Sequence, residues 1–229
     1  MSWLLLLLVL HACFFQPYIW GCMALLKYSE PADRYLDRGS GAELARHLLE
    51  RFELGDVGVE ESDQGDHYDP QTRTVRLIPA HYAGYSLTAV TVAAHEVGHA
   101  IQHARGEALF NTRLRLVKAA LYGQRLASFT LMVAPLLLIL TRMPHLSAAL
   151  LVIGVASMAL GTVVHLVTLP VELDASYGKA LPMLKAGAYL HEGDLQHAEK
   201  VLKAAALTYL ASSLASLLNL GRWIAVLRR

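Results

Sequence analysis

The sequence has few charged residues and only two cysteines. Charged side chains make up 17% of the 229 residues, the formal net charge is +1, and the cysteines are Cys13 and Cys22. Both cysteines lie in one apolar stretch, so we expect buried apolar side chains rather than a disulfide framework. The sequence also lacks a basic stripe interleaved with aromatic residues and a glycine-rich phosphate loop. These absences give no reason to expect a nucleic-acid partner.

Charged residues are missing from four long apolar stretches. Residues 1–26 contain none, and further apolar stretches run over residues 126–141, 143–171 and 204–221. A membrane-spanning helix needs about 20 mostly apolar residues, so the pattern predicts transmembrane helices in these stretches. The first stretch lacks the basic start of a secretory signal and is longer than the usual apolar core of one, which favours an uncleaved anchor.

The more polar part of the chain, between the first and second apolar stretches, carries the patterns of a small α+β domain. Leucines at helical spacing predict a helix between Ser40 and Gly55. A turn at Asp69-Pro70 precedes a predicted strand from Thr74 to Ile78, and a second helix is predicted from Ser86 to Ala104. We expect an extended substrate to pair with the strand near Val75–Ile78, at the edge of a sheet.

The second predicted helix contains the motif H-E-V-G-H. Residues four apart on a helix lie nearly above one another, about 6 Å apart, so His95 and His99 can both reach one zinc ion. Glu96 points about 100° away from His95, where a general base can take a proton from a zinc-bound water. His103 lies roughly 12 Å from His95 along the axis, so we expect a neighbour of the site rather than a ligand.

A catalytic zinc usually has three protein ligands, so a third ligand must come from elsewhere in the chain. Arg105 stands where a longer histidine motif would place that ligand. The segment TLPVELDASYGKAL, which begins at Thr168, offers Glu172 and Asp174 instead. Because residues two apart on a helix point in different directions, we expect only one of them to bind the metal. The alternative is that both are acids at a solvated helix start, where the helix dipole favours them.

This segment, the HEVGH helix and the strand segment DHYDPQTRTVRLIP together resemble the YugP-like neutral zinc metallopeptidases of bacterial membranes. The likeness extends over nearly the whole chain, and the letters ELDAS are its most specific part. It implies one Zn²⁺ per chain, with ligands at His95 and His99 and a catalytic glutamate at Glu96. It also implies an acidic ligand, which Glu172 matches best.

A more distant likeness is to the HtpX-like membrane proteases, in which an E-x-x-A-D segment supplies a glutamate ligand and a supporting aspartate. Glu172 and Ala175 match that segment, but Ser176 stands in place of the aspartate. We therefore expect Asp174 and Ser176 either to orient a metal-binding histidine or to serve as the alternative ligand.

Several other polar residues are candidate contacts for the substrate or the transition state, and each also has a purely structural interpretation. The first candidates are His103 and Tyr177, and the others are Tyr82, Tyr85 and His191. His165 lies inside the third apolar stretch, where a polar side chain marks either function or a contact between helices.

Together these patterns predict a mainly α-helical membrane protein with transmembrane helices and a small α+β zincin-like domain that carries the HExxH helix. The expected parts are a transmembrane anchor (1–26), a zincin-like catalytic domain (27–125), a transmembrane helical hairpin (126–171), a segment with the third zinc ligand (172–203), and a C-terminal transmembrane helix with a basic tail (204–229). The resemblance implies the bacterial cell membrane as its location. An excess of Lys and Arg on the catalytic side favours a cytoplasmic site.

The predicted function is that of a membrane-embedded zinc metallopeptidase, which hydrolyses peptide bonds by zinc-activated water with Glu96 as the general base. The expected partners are a peptide or protein substrate and the lipid bilayer. One alternative is an intramembrane site-2-type protease, in which the Leu77–Ala104 stretch lies in lipid and Asp174 is a ligand. The other is a non-catalytic zinc-binding membrane scaffold. The sequence leaves open the substrate, the oligomeric state and any regulatory partner.

Overall fold

The structure is a computed structural model that describes residues 33–141 and 144–207. It contains two compact units, and at least one of them is built from separate stretches of the chain. One unit holds the described residues between 111 and 169, and the other holds residues 33–110 and 170–207. The predicted metal-binding residues all belong to the second of these units.

The first helix, α1, runs from Gly41 to Arg51, inside the predicted bounds. The Oγ of Ser40 accepts from the backbone N–H of Glu43 at 3.3 Å, and the Glu43 carboxylate accepts from the N–H of Ser40 at 2.7 Å. This reciprocal pair satisfies two N–H groups that a helix start leaves without intrahelical partners. Two of the regularly spaced leucines, Leu48 and Leu49, are buried, so the apolar face of α1 lies in the core as its periodicity predicts.

Three short strands form one sheet: β1 (Gly58–Glu61), β2 (His67–Asp69) and β3 (Thr74–Leu77). Strand β3 lies between the other two, parallel to β1 and antiparallel to β2. The prediction that β3 offers an edge to an extended substrate is therefore wrong, because a strand with neighbours on both sides has its ladder groups already paired.

Helix α3 (Leu87–Ala104) follows a single-turn helix, α2 (Pro79–Tyr82). Ser86 caps α3 by accepting from the backbone N–H of Ala89 at 3.1 Å. Every residue from Leu87 to Gln102 is buried, and α3 packs against both α1 and the sheet. A helix that is buried on all sides must satisfy its polar side chains inside the protein, so the polar groups of α3 need internal partners.

Two long helices come next, α4 (Ala108–Thr141) and α5 (Pro144–Leu173). Helix α5 continues directly into a π-helical segment, Asp174–Ala180, and then into the short helix α6, Leu181–Ala186. Residues 195–207 are helical as well. The π-helical segment packs against α3. Such segments are rare and occur frequently at functional sites. The contact between this segment and α3 is therefore a candidate location for the functional site.

The prediction of transmembrane helices is wrong for the described residues, in which no helix combines the length and the apolar composition needed to cross a bilayer. Helices cover residues 126–141 and 144–171, but α4 becomes apolar only after Arg125, which leaves fewer than the about 20 residues that a span needs. The protein is mainly helical with a small three-stranded sheet. The anchor predicted at 1–26 and most of the helix predicted at 204–229 lie outside the described residues.

Candidate metal centre

Helix α3 places His95 and His99 one turn apart on the same face. Both residues are buried, with only 5% of the surface of each exposed. The centroids of the two rings lie 4.8 Å apart, and the rings are nearly perpendicular at 78°. Because four residues almost complete a helical turn, the spacing of these histidines in the sequence is enough to bring their side chains together.

Glu172 completes a group of three side chains that could hold a metal ion. It is fully buried near the end of α5, and its Oε2 lies 3.2 Å from Nε2 of His95 and 3.2 Å from Nε2 of His99. The three candidate ligand atoms all lie within 4.8 Å of one another. Asp174, the alternative ligand, does not belong to this group, which we call the metal-binding group below.

The atoms and the spacing of the metal-binding group suit Zn²⁺. Two atoms bound to a tetrahedral zinc at about 2.0–2.1 Å lie about 3.3 Å apart. The two observed nitrogen–oxygen distances are both 3.2 Å. Two imidazoles and one carboxylate are also a ligand set of catalytic zinc sites, in which the fourth position stays open for water or substrate. The residues present therefore fit a zinc site with three protein ligands.

Glu96 follows His95 on α3 and is also buried, with 6% of its surface exposed. Its position on the helix directs its side chain about 100° away from His95. Glu96 therefore lies beside the metal-binding group and is not a member of it. This place suits a side chain that moves a proton near the metal rather than one that binds the metal.

Hydrogen bonds hold the ring nitrogens that face away from Glu172. Nδ1 of His99 lies 2.9 Å from Oε1 of Gln102, and Nδ1 of His95 lies 3.2 Å from Oγ of Ser176. Partners of this kind orient metal-binding histidines. Ser176 is among the residues predicted from the sequence to orient a metal-binding histidine, whereas Gln102 is not. The sequence feature that could have identified Gln102 is its position three residues after His99, because residues three apart on a helix lie on the same face.

Asp174 contacts Gln102. Within the described residues it makes no hydrogen bond to either histidine of the metal-binding group. Its Oδ2 accepts from Nε2 of Gln102 at 2.8 Å and from Nζ of Lys179 at 2.7 Å. Burial raises the pKa of Asp174, but the hydrogen bonds from Lys179 and Gln102 outweigh burial and leave the pKa below its ordinary value. Asp174 is therefore an ionised acceptor at neutral pH.

His103 and Tyr177, the first candidates for substrate contacts, are not members of the metal-binding group. Nδ1 of His103 lies 2.8 Å from the hydroxyl of Tyr68, and its ring centroid lies 5.6 Å from that of Phe110. Burial, and then the charge of Arg73, lowers the pKa of His103, so its ring is neutral at pH 7. Burial likewise raises the pKa of Tyr177. Their roles toward a substrate stay predictions.

The other candidates make different contacts in the part of the chain that the structure describes. The hydroxyl of Tyr82 accepts from Arg46 at 2.6 Å. Nε2 of His191 lies 3.0 Å from a backbone carbonyl oxygen of the segment before α1. Tyr85 is half-buried, and the side chain of His165 lies outside the described residues. None of the described candidates joins the metal-binding group.

The chain is similar to known proteins over nearly its whole length. The family described as "Putative neutral zinc metallopeptidase" matches residues 2–228. A relative from Bacillus subtilis (strain 168), named "Putative membrane protease YugP", is 37% identical over 189 residues, which cover 82% of this chain and 80% of the relative. No solved structure matches the chain. These matches confirm the resemblance to the YugP-like proteins, and the chain belongs to the family described as "Putative neutral zinc metallopeptidase".

Proposed function

We propose that this chain is a zinc-dependent metallopeptidase with one Zn²⁺ held by His95, His99 and Glu172. The observation that carries the proposal is the convergence of two imidazole nitrogens and one carboxylate oxygen, at 3.2 Å for both nitrogen–oxygen pairs. The description of the family and the name of the relative support hydrolysis of a peptide bond as the reaction.

When bound, Zn²⁺ supplies Lewis acidity, which polarises a carbonyl oxygen and lowers the pKa of water to about 7. Glu96 takes a proton from a water molecule while the water oxygen attacks the carbonyl carbon of the peptide. Glu96 then gives this proton to the amine nitrogen as the carbon–nitrogen bond breaks. One water is consumed, a carboxylic acid and an amine are formed, and the Glu96 carboxylate is regenerated.

Two features favour an enzyme over a purely structural zinc protein. A structural zinc site is usually closed by four protein ligands, whereas the described residues provide a group of three. A structural site also has no need for a general base, yet Glu96 is a buried carboxylate directly beside His95. Both features agree with a site that binds water and substrate.

The proposal is tested by cleavage of fluorescein-labelled casein by the purified, zinc-loaded protein, with zinc per chain measured on the same samples. Glu96→Gln keeps the shape of the side chain but removes the base, so we expect a loss of roughly 10²–10⁴-fold in rate at unchanged zinc content. Glu50→Gln is the matched control, because Glu50 is an exposed glutamate on α1.

Two results would contradict the proposal in different ways. If the wild type binds zinc and cleaves nothing, the site is that of a non-catalytic zinc-binding protein. If the wild type binds no zinc, the metal-binding group has another role. Cleavage by Glu96→Gln at the wild-type rate would remove Glu96 from the mechanism but keep the peptidase.

We also propose that the chain acts at a membrane surface. The relative from Bacillus subtilis is named a membrane protease. Large apolar side chains on α4 are exposed, including Tyr122, Met132 and Ile139 at 72%, 71% and 74%. Exposed apolar surface of this kind marks contact with a membrane or with another protein. Sedimentation of the purified chain with phospholipid vesicles tests the proposal, and full recovery in the supernatant would contradict it.

A further inference from the structure

Gln102 is a buried amide whose side chain connects three parts of the site. Only 1% of its surface is exposed. Its Oε1 lies 2.9 Å from Nδ1 of His99, and its Nε2 donates to the carbonyl oxygen of Val171 at 2.9 Å and to Oδ2 of Asp174 at 2.8 Å. Both donors of the amide are therefore used, and both go to the segment that carries Glu172.

These partners allow only one orientation of the Gln102 amide. The carbonyl oxygen of Val171 can only accept a hydrogen bond, and Oδ2 of Asp174 already accepts from Nζ of Lys179 at 2.7 Å. A flipped amide would bring its oxygen against both acceptors and leave the half-buried Asp174 carboxylate without one of its donors, which is costly. The NH₂ group must face Val171 and Asp174, so the oxygen of Gln102 must face His99.

The orientation of Gln102 determines which nitrogen of His99 carries the proton. An amide oxygen can only accept, so Nδ1 of His99 must donate to it. A neutral imidazole has one N–H, and Nε2 is then an acceptor with its lone pair exposed. That lone pair faces Oε2 of Glu172 at 3.2 Å. Two acceptors at this distance repel each other unless a cation lies between them, which is the condition that a metal ion satisfies.

The corresponding contact of His95 does not fix a proton position in the same way. Ser176 lies 3.2 Å from Nδ1 of His95, and a hydroxyl can either donate or accept. The Ser176 hydroxyl also lies 3.5 Å from the carbonyl oxygen of Leu202, a distance too long to fix its orientation firmly. Of the two histidines, only His99 has an Nδ1 partner that can act solely as a hydrogen-bond acceptor.

We propose that Gln102 is a positioning residue, which holds His99 in the Nδ1–H form and so presents the Nε2 lone pair to the metal. Asp174 assists by orienting the amide, and Lys179 holds Asp174 in place at 2.7 Å. The inference rests on the proposed function, because it concerns the same metal-binding group. It adds a residue that neither the motif nor the family description identifies.

The first test measures the dissociation constant of Zn²⁺ by competition with a chromophoric chelator. Gln102→Met keeps the length of the side chain and removes all three hydrogen bonds, so we expect zinc to bind about 10–100-fold more weakly. The matched control is Tyr35→Phe, which removes another buried hydrogen bond, from Tyr35 to Asp194 at 2.7 Å. We expect the control to bind zinc like the wild type. An unchanged dissociation constant in Gln102→Met would overturn the inference.

The second test needs no zinc, and its deciding measurement is made on the wild type. Two-bond ¹H–¹⁵N NMR spectra of the metal-free wild type at pH 8 report which ring nitrogen of His99 carries the proton, and the His99→Asn spectrum assigns the signal. We expect the Nδ1–H form, and Gln102→Met, where folded, should show a mixture of both forms. An Nε2–H form in the wild type would overturn the inference. If the wild type binds no zinc, the proposed function fails, and this measurement still decides whether Gln102 orients His99.

Discussion

Gly98 lies against the backbone of Ala175. A Cβ placed on Gly98 would be 2.9 Å from the carbonyl oxygen of Ala175 and 3.4 Å from its Cα. Real Cβ atoms essentially never approach another heavy atom within 3.0 Å, so an alanine at this position would force one backbone to move. Ala175 belongs to the π-helical segment that begins two residues after Glu172, and Gly98 directly precedes His99. The glycine therefore allows α3 to come close to the segment that carries the acidic ligand.

We predict that Gly98→Ala weakens zinc binding because it moves α3 away from the π-helical segment and lengthens the distance from His99 to Glu172. We also expect a loss of about 1–3 kcal/mol in the free energy of unfolding, as is typical of overpacked cores. Zinc titration and urea unfolding measure the two effects. Gly55→Ala is the control, since a Cβ on Gly55 meets nothing within 4 Å. Equal zinc affinity in both variants would contradict the prediction.

We predict that Glu172→Gln abolishes measurable stabilisation by zinc. For the wild type, zinc at a hundred times its dissociation constant should add about 2.7 kcal/mol to the free energy of unfolding. Glu172→Gln removes the charge of the ligand oxygen, and thermal unfolding with and without zinc shows whether the shift in Tm disappears. Asp174→Asn is the comparison, because Asp174 is the alternative ligand. Should Asp174→Asn lose the shift while Glu172→Gln keeps it, the ligand assignment would be wrong.

We predict a smaller effect for Ser176→Ala than for Gln102→Met. The Ser176 hydroxyl is 3.2 Å from His95, longer than the 2.9 Å from Gln102 to His99, and it does not restrict the ring to one proton position. The dissociation constant of zinc should therefore rise by about tenfold or less, the low end for partners of metal-binding histidines. A larger loss than in Gln102→Met would reverse the proposed order of importance.

We predict that Asp194 makes the stability of the metal-free protein depend on acid pH. Arg34 donates to the buried Asp194 carboxylate at 2.6 Å and 2.5 Å. Burial raises the pKa of Asp194, but the hydrogen bonds from Arg34 and Tyr35 outweigh burial and lower the pKa. Because the pKa of Asp194 is lower in the folded than in the unfolded state, the ionised carboxylate stabilises the folded protein at pH values above the unfolded pKa of about 3.9. This stabilisation is lost as the pH falls through the folded pKa.

The Asp194→Asn variant tests this dependence by urea unfolding between pH 7 and pH 3. We expect it to lose about 1.5–3 kcal/mol at pH 7, the usual range for hydrogen bonds to a charged group. The difference from the wild type should shrink as pH falls below about 4, because the carboxylate of the unfolded wild type takes up its proton there while the folded carboxylate stays ionised to lower pH. Asp63→Asn, at an exposed position, serves as the control. A difference that stays constant over the whole pH range would rule out the carboxylate charge as the cause.

Apolar composition alone predicts helices in this chain but does not decide whether they cross a membrane. Apolar residues over 126–141 and 143–171 predict helices, and the structure has helices α4 and α5 over 126–141 and 144–171. Whether such a helix crosses a bilayer depends on the length of its uninterrupted apolar part, and no helix in the described residues meets that requirement. For residues 126–141 and 144–171, the composition therefore predicted the helices correctly and the membrane crossing wrongly.

Local periodicity determined the parts of this protein that can be read from the sequence alone. His95 and His99 share a face because four residues nearly complete a helical turn. Helix α1 begins after Ser40 because the Ser40 hydroxyl and the Glu43 carboxylate satisfy the first N–H groups of the helix. Each of these relations involves residues that are only a few positions apart, so no distant contact is needed to establish them.

Only the tertiary structure decided which distant residues meet at the site. Glu172 reaches His99 across a separation of 73 positions, and Gln102 has one orientation only because Val171 and Asp174 supply its acceptors. The central position of β3 was likewise decided by pairing with both neighbours. The physical reason is that periodicity describes one backbone, whereas these contacts depend on how closely two backbones approach, and that distance is set by packing, as between Gly98 and Ala175.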